Sequence, residues 1–140
     1  MVIAPSGMTP LLQVYDIPQA LTFYRDVLGF TVVNASPEVD TPEGRFSHWM
    51  TLRLGSATVM LNSAYDEGER PRERVEPQQQ WHRDTYLYFS VPDVDAVYQE
   101  LRTSITGLQP PTTAPYGMRQ LYLTDPDGYS LCFQAPIGKR

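Results

Sequence analysis

The sequence predicts an α+β fold made of two βαβββ modules, and three observations predict it. The chain is written twice. Val14-Tyr15-Asp16-Ile17 lines up with Val91-Pro92-Asp93-Val94 at an offset of 77 residues. Thr58-Val59-Met60-Leu61-Asn62 lines up with Ser130-Leu131-Cys132-Phe133-Gln134 at an offset of 72. Each Asp is followed by apolar residues at helical spacing, Ile17, Ala20, Leu21, Tyr24, Leu28 in one half and Val94, Val97, Tyr98, Leu101, Ile105 in the other. The segments around these helices alternate apolar and mixed residues with the period of a strand. The modules span about residues 9–62 and 84–134 of a single domain covering 1–140.

The first strand opens near Thr9 and carries Leu12 and Val14 toward the helix. Asp16 and Asp93 stand where an N-cap belongs, with Gln19 completing a capping box and Pro18 tolerated in the first turn. Gly29 and Gly107 fall where the helices should stop. Later strands turn at Leu54-Gly55-Ser56 and at Asp125-Pro126-Asp127-Gly128. The drop in offset gives the first module about five extra residues, placed in Asn34–Gly44. Residues 63–83, with Pro71, Pro77 and a glutamine run, read as an exposed connector.

Length and composition exclude several function classes. One hundred and forty residues bury enough surface to fold without a disulfide or metal. No apolar run is long enough for a membrane helix, and the first residues lack a signal-peptide pattern. The single Cys132 leaves a reducing cytoplasm as the default location. A net charge of −5 argues against nucleic acid and suits a cationic small molecule.

Parity sorts the faces. Leu12, Val14, Met50, Leu52, Val59, Leu61, Leu87, Phe89, Leu121, Leu123, Leu131 and Phe133 form the helix side. The opposite face holds Gln13, Trp49, Thr51, Arg53, Met60, Tyr86, Tyr88, Gln120, Tyr122 and Cys132. Four aromatics and a methionine there mark a ligand cleft between curved sheets more than a merely solvated surface. Trp49, Tyr86, Tyr88 and Tyr122 suit a planar ligand, or else a subunit interface. Arg53 suits a carboxylate or phosphate, or equally a neighbouring acid. His48, helix-facing by parity, reads as a packed histidine, and His82 beside Trp81 as a surface or subunit-contact residue.

Paired modules of this kind resemble the vicinal oxygen chelate superfamily of glyoxalases, extradiol dioxygenases, fosfomycin-modifying transferases and bleomycin-resistance proteins. The resemblance covers about residues 8–135. It rests on Leu21-Thr22-Phe23-Tyr24-Arg25-Asp26-Val27-Leu28-Gly29-Phe30 and on Tyr116-Gly117-Met118-Arg119, continuing through the Asp125–Gly128 turn to Tyr129. The Tyr-Gly-Met-Arg stretch is similar to the bleomycin-resistance-like branch. The family's metal ligands would map to Thr9, Met60, Tyr86 and Cys132, which supply neither an imidazole nor a carboxylate. The resemblance therefore implies a metal-free, cofactor-free, homodimeric protein that sequesters an aromatic or glycopeptide-like molecule, as antibiotic-resistance proteins do. The alternative it leaves open is a metal-dependent lyase or dioxygenase.

Overall fold

The computed structural model describes residues 2–74 and 82–138. The chain divides into two compact units, Met1–Arg74 and Val75–Arg140. In the first unit, β1 (Leu11–Val14) leads into α1 (Ile17–Leu21), whose N-cap Asp16 accepts from the Gln19 amide. The helix continues through Thr22–Val27 with a widened, π-type turn. The Leu28 amide reaches back to the Phe23 carbonyl at 3.0 Å, and the Phe30 amide to the Tyr24 carbonyl at 2.9 Å. Gly29, with φ +94°, ends the helix as its position predicts. This widening sets the buried Tyr24 and Phe30 rings edge to face at 5.6 Å in the core. The motif that carries the family resemblance is thus a packing device.

β2 (Thr31–Ala35), β5 (Trp49–Leu54) and β6 (Ala57–Ser63) follow. They pair in the order β1-β6-β5-β2, with β1 parallel to β6. Between β2 and β5 the chain inserts a hairpin, β3 (Val39–Thr41) and β4 (Gly44–Phe46). The extra residues of the first half are this hairpin, running slightly past the predicted Gly44.

The second unit repeats the plan. β7 (Tyr86–Ser90), α2 (Val94–Leu101), β8 (Thr112–Thr113), β9 (Met118–Thr124) and β10 (Ser130–Pro136) give a sheet ordered β7-β10-β9-β8, with β7 parallel to β10. Asp93 caps α2 by accepting from the Ala96 amide at 3.1 Å. The helix stops at Leu101, not at Gly107. The amides of Ser104 and Ile105 both fold back onto the Leu101 carbonyl, so the remaining residues form turns. Arg119 of the Tyr-Gly-Met-Arg stretch ties α2 to the sheet. It grips Asp95 at 2.8 Å and donates to Thr113 at 3.2 Å, and it holds the Asp95 carboxyl below its ordinary range. Both structures are mixed four-stranded sheets with few helices, an α+β arrangement with no closed barrel. Among the described residues no helix is long and apolar enough to cross a membrane.

The predicted helix side is buried except at Leu87, which is half-buried. Leu12, Val14, Met50, Leu52, Val59, Leu61, Phe89, Leu121, Leu123, Leu131 and Phe133 are all buried. The connector needs correcting. Residues 65–74 are not simply exposed, because Arg70 and Arg74 both lie over the Tyr15 ring, at 4.9 and 4.7 Å from its centroid. The Tyr15 hydroxyl donates to the Pro71 carbonyl at 2.6 Å, and Arg70 approaches Asp16 at 3.6 Å. Arginine is drawn to an aromatic face that water solvates poorly, so the segment docks where β1 passes into α1. The capping box also differs: the Gln19 side chain accepts from Arg74. The rest of the predicted connector, including Trp81, lies outside the described residues.

Candidate functional site

Strand register builds the mixed face of the first sheet in rows. Gln13, Asn62 and Trp49 stand abreast on β1, β6 and β5, and the Asn62 amide donates to Gln13 at 3.1 Å. Leu11, Met60 and Thr51 form the next row. Arg53, exposed, pairs with Thr58, whose hydroxyl meets that of Thr9 at 2.6 Å. Trp49 is half-buried, and its backbone is fixed by reciprocal bonds with Ser36. The structure therefore brings the predicted Gln13, Trp49, Arg53 and Met60 onto one face.

The second sheet does the same for Tyr86, Tyr88, Gln120, Tyr122 and Cys132. Cys132 on β10 is flanked in register by Tyr88 of β7 and Tyr122 of β9. Cys132 is 0% exposed, whereas Tyr86, Tyr88 and Tyr122 are 52%, 51% and 40% exposed. The thiol is the floor of the face rather than its contact surface, because two longer side chains on neighbouring strands close over it. Burial pushes its pKa up. The Tyr122 phenol is also pushed up, first by its bond with Tyr88, then by burial and the neighbouring thiol.

A polar chain runs beneath the rings. The Tyr122 hydroxyl donates to Gln120 Oε1 at 3.2 Å and lies 3.3 Å from the Tyr88 hydroxyl. Gln120 Nε2 donates to the Tyr116 hydroxyl at 2.9 Å and to Gln134 Oε1 at 3.0 Å. Gln120 is buried, so every one of these bonds is needed to hold its amide. Ser130 and Gln134 share the parity of Cys132 and lie on the predicted mixed face; Tyr116, in a turn, has no periodic signal and joins them unforeseen. Above the sheet opens a depression of about 540 Å³ lined by Tyr86, Tyr88, Tyr122, Leu123, Thr124 and Ser130.

Neither histidine belongs to these faces. His48 lies just before β5, half-buried, with Nδ1 2.8 Å from Ser63 Oγ and its ring against Phe46. His82 stacks on the buried Tyr129 with centroids 4.0 Å apart, and burial lowers its pKa. Among the described residues no three His, Cys, Asp or Glu side chains gather to hold a metal. The four family ligand positions do not fit one either. Thr9 is engaged with Thr58, Met60 is a soft thioether, Tyr86 offers only a phenol, and Cys132 is buried as a thiol.

The profile of the Glyoxalase/Bleomycin resistance protein/Dioxygenase superfamily matches residues 8–133. The chain belongs to this superfamily. Solved structures agree on the fold. An antibiotic-binding protein from Streptomyces sp. CB03234, TnmS3, is 24% identical with a TM-score of 0.67, covering 97% of this chain and 98% of its own. A bleomycin-binding protein from bleomycin-producing Streptomyces verticillus, complexed with copper(II)-bleomycin, is 19% identical with a TM-score of 0.66, covering 94% and 97%. A lactoylglutathione lyase from Agrobacterium tumefaciens is 21% identical with a TM-score of 0.64, covering 94% of each chain. No curated protein matches the sequence.

Proposed function

We propose that this superfamily member is a metal-independent binding protein that sequesters a small organic molecule with aromatic character, as antibiotic-binding relatives do. The observation that carries the reading is the second sheet's open face, where three half-exposed tyrosines border a depression of about 540 Å³. Exposed aromatic surface of this kind is costly to leave in water and typical of ligand sites. The Gln120-centred bonds hold Tyr116 and Tyr122 in place before any ligand arrives, which lowers the entropy lost on binding. Gln13, Trp49, Arg53 and Met60, on the mixed face of the first sheet, are proposed as ligand-binding residues of that sheet. The lyase and dioxygenase readings need a metal that the four family positions do not accommodate.

Thermal-shift measurements with bleomycin and a panel of planar aromatic metabolites test this, with and without EDTA. A ligand at 100 times its Kd should add about 2.7 kcal/mol of stability. The shift should survive EDTA and shrink in Tyr88→Ala, while Trp49→Phe reports the first sheet's part. A shift that requires added zinc, nickel, iron or manganese would overturn the reading in favour of the metal-dependent one.

The protein is further proposed to act as a cytoplasmic homodimer, because closed two-fold pairing is the commonest way to cover such faces. Sedimentation should give about twice the 15.9 kDa chain mass. A species at the chain mass, stable on concentration, would count against pairing.

A further inference from the structure

We infer that the Tyr86–Tyr88–Tyr122 cluster is an aromatic cage for an alkylated ammonium group carried by the ligand. The inference rests on the small-molecule reading above and names the chemistry of its tyrosine subsite. All three pairs of ring centroids are 6.4 Å apart. Tyr86 and Tyr88 are inclined by only 23°, and Tyr122 stands at 87° and 84° to them. Two near-parallel rings and a third at right angles to them gather three aromatic groups about one point rather than into a flat stacking platform. The centre of this equilateral triangle lies about 3.7 Å from each centroid, the side divided by √3. A nitrogen raised about 2.5 Å above that plane is about 4.5 Å from all three rings, inside the roughly 6 Å reach of a cation–π contact.

The surroundings select the kind of cation. The described residues lining the depression are three tyrosines, Leu123, Thr124 and Ser130, with no carboxylate among them. A primary ammonium sheds a tightly held hydration shell and needs acceptors in return. An alkylated ammonium is weakly hydrated and needs only polarisable faces. The Tyr122 hydroxyl donates to Gln120 Oε1 and lies 3.3 Å from that of Tyr88, so the hydroxyls are held to one another and to the sheet. The aromatic faces supply the electron density, and the chain's net charge of −5 draws cations in.

The test compares choline with its uncharged isostere, 3,3-dimethylbutan-1-ol, by NMR titration of the intact protein. 1-Naphthol serves as a neutral planar probe. Choline should bind at least tenfold more tightly than the isostere. Tyr86→Ala, Tyr88→Ala and Tyr122→Ala should each weaken choline at least fivefold. The amide NMR spectrum of each alanine variant should stay that of the folded chain, so that a weakened titration reports the subsite and not unfolding. Equal binding of choline and the isostere would overturn the cage. So would retention of choline in all three alanine variants. If 1-naphthol binds and is lost in Tyr88→Ala while choline does not bind, the cage falls and the small-molecule site stands. Failure of every probe would overturn both.

Discussion

Compare the central row of the two sheets. In the first unit it reads Leu11, Met60, Thr51; in the second it reads Tyr88, Cys132, Tyr122. The strand order and the parallel pairing are the same, so the backbone does not distinguish them. The side chains do. A long, half-buried thioether stands at the middle of the first row. A short thiol at the middle of the second leaves room for two phenols to meet over it at 3.3 Å. The first face then satisfies itself with short polar pairs, Thr9 with Thr58 and Gln13 with Asn62, while the second becomes a tyrosine surface above a buried amide network. A repeated fold supplies two equivalent platforms, and the three side chains of the central row make one of them a tyrosine surface.

The largest expected effect tests the equivalence. Leu61 and Phe133 occupy matching places on β6 and β10, and both are buried. Leu61→Ala should cost about 2–5 kcal/mol and Phe133→Ala about 3–5 kcal/mol, from lost transfer energy and the cavity left behind. Denaturant titration measures both. A loss below about 1 kcal/mol at one of them would show that the two cores are not packed alike.

The next effect tests the difference. Cys132→Met writes the first unit's central residue into the second. The added bulk lies beneath Tyr88 and Tyr122, where nothing is exposed to take it up. Overpacking should cost about 1–3 kcal/mol, and the displaced phenols should lose their mutual bond. The reciprocal Met60→Cys should create no tyrosine surface and should leave ligand binding at the second sheet unchanged. Thermal melting and titration with the same ligand separate the two outcomes. A neutral Cys132→Met would mean that the small thiol is not what seats the rings.

Much of this was legible from residues alone, and the parts that were not have physical reasons. Alternation along a strand is rigid, so the core sides of β1, β5, β6, β9 and β10 followed from parity, as did the Asp16 and Asp93 caps. The β3–β4 hairpin was hidden because Val39-Asp40-Thr41 and Gly44-Arg45-Phe46 are too short to show a period. The early end of α2 was hidden because Ile105 continues the apolar stripe while sitting in a turn. Residues 65–74 looked like a charged connector, and charge alone does not reveal that two arginines have an aromatic ring to cover. Cys132 and Tyr88 share a parity, yet their accessibilities are opposite. Parity gives a side chain's face, and the lengths of its neighbours decide whether that face is reached.

The smallest expected effect concerns alkaline pH, and it belongs to the second unit's row. Burial raises the Cys132 pKa, and the bond with Tyr88, burial and the nearby thiol raise that of Tyr122. Both groups are neutral when protonated, so each is held protonated in the folded chain after it would ionise in the unfolded one. The unfolded state then releases protons first, and stability falls with rising pH. The contribution is fully present below the unfolded values, about 8.5 for a thiol and 10 for a phenol, and is lost as pH rises through the higher folded values. Melting temperature followed from pH 8 to pH 11 should therefore decline, gently at first and then more steeply past pH 10. Tyr122→Phe and Cys132→Ala each remove one titrating group and should each flatten part of the decline, the thiol variant at its lower end. Thr51→Val and Met60→Leu, at the matching places of the first row, should leave the slope as it is. A slope identical in all five proteins would place the alkaline sensitivity outside this row. It would also remove the electrostatic half of the contrast between the two sheets.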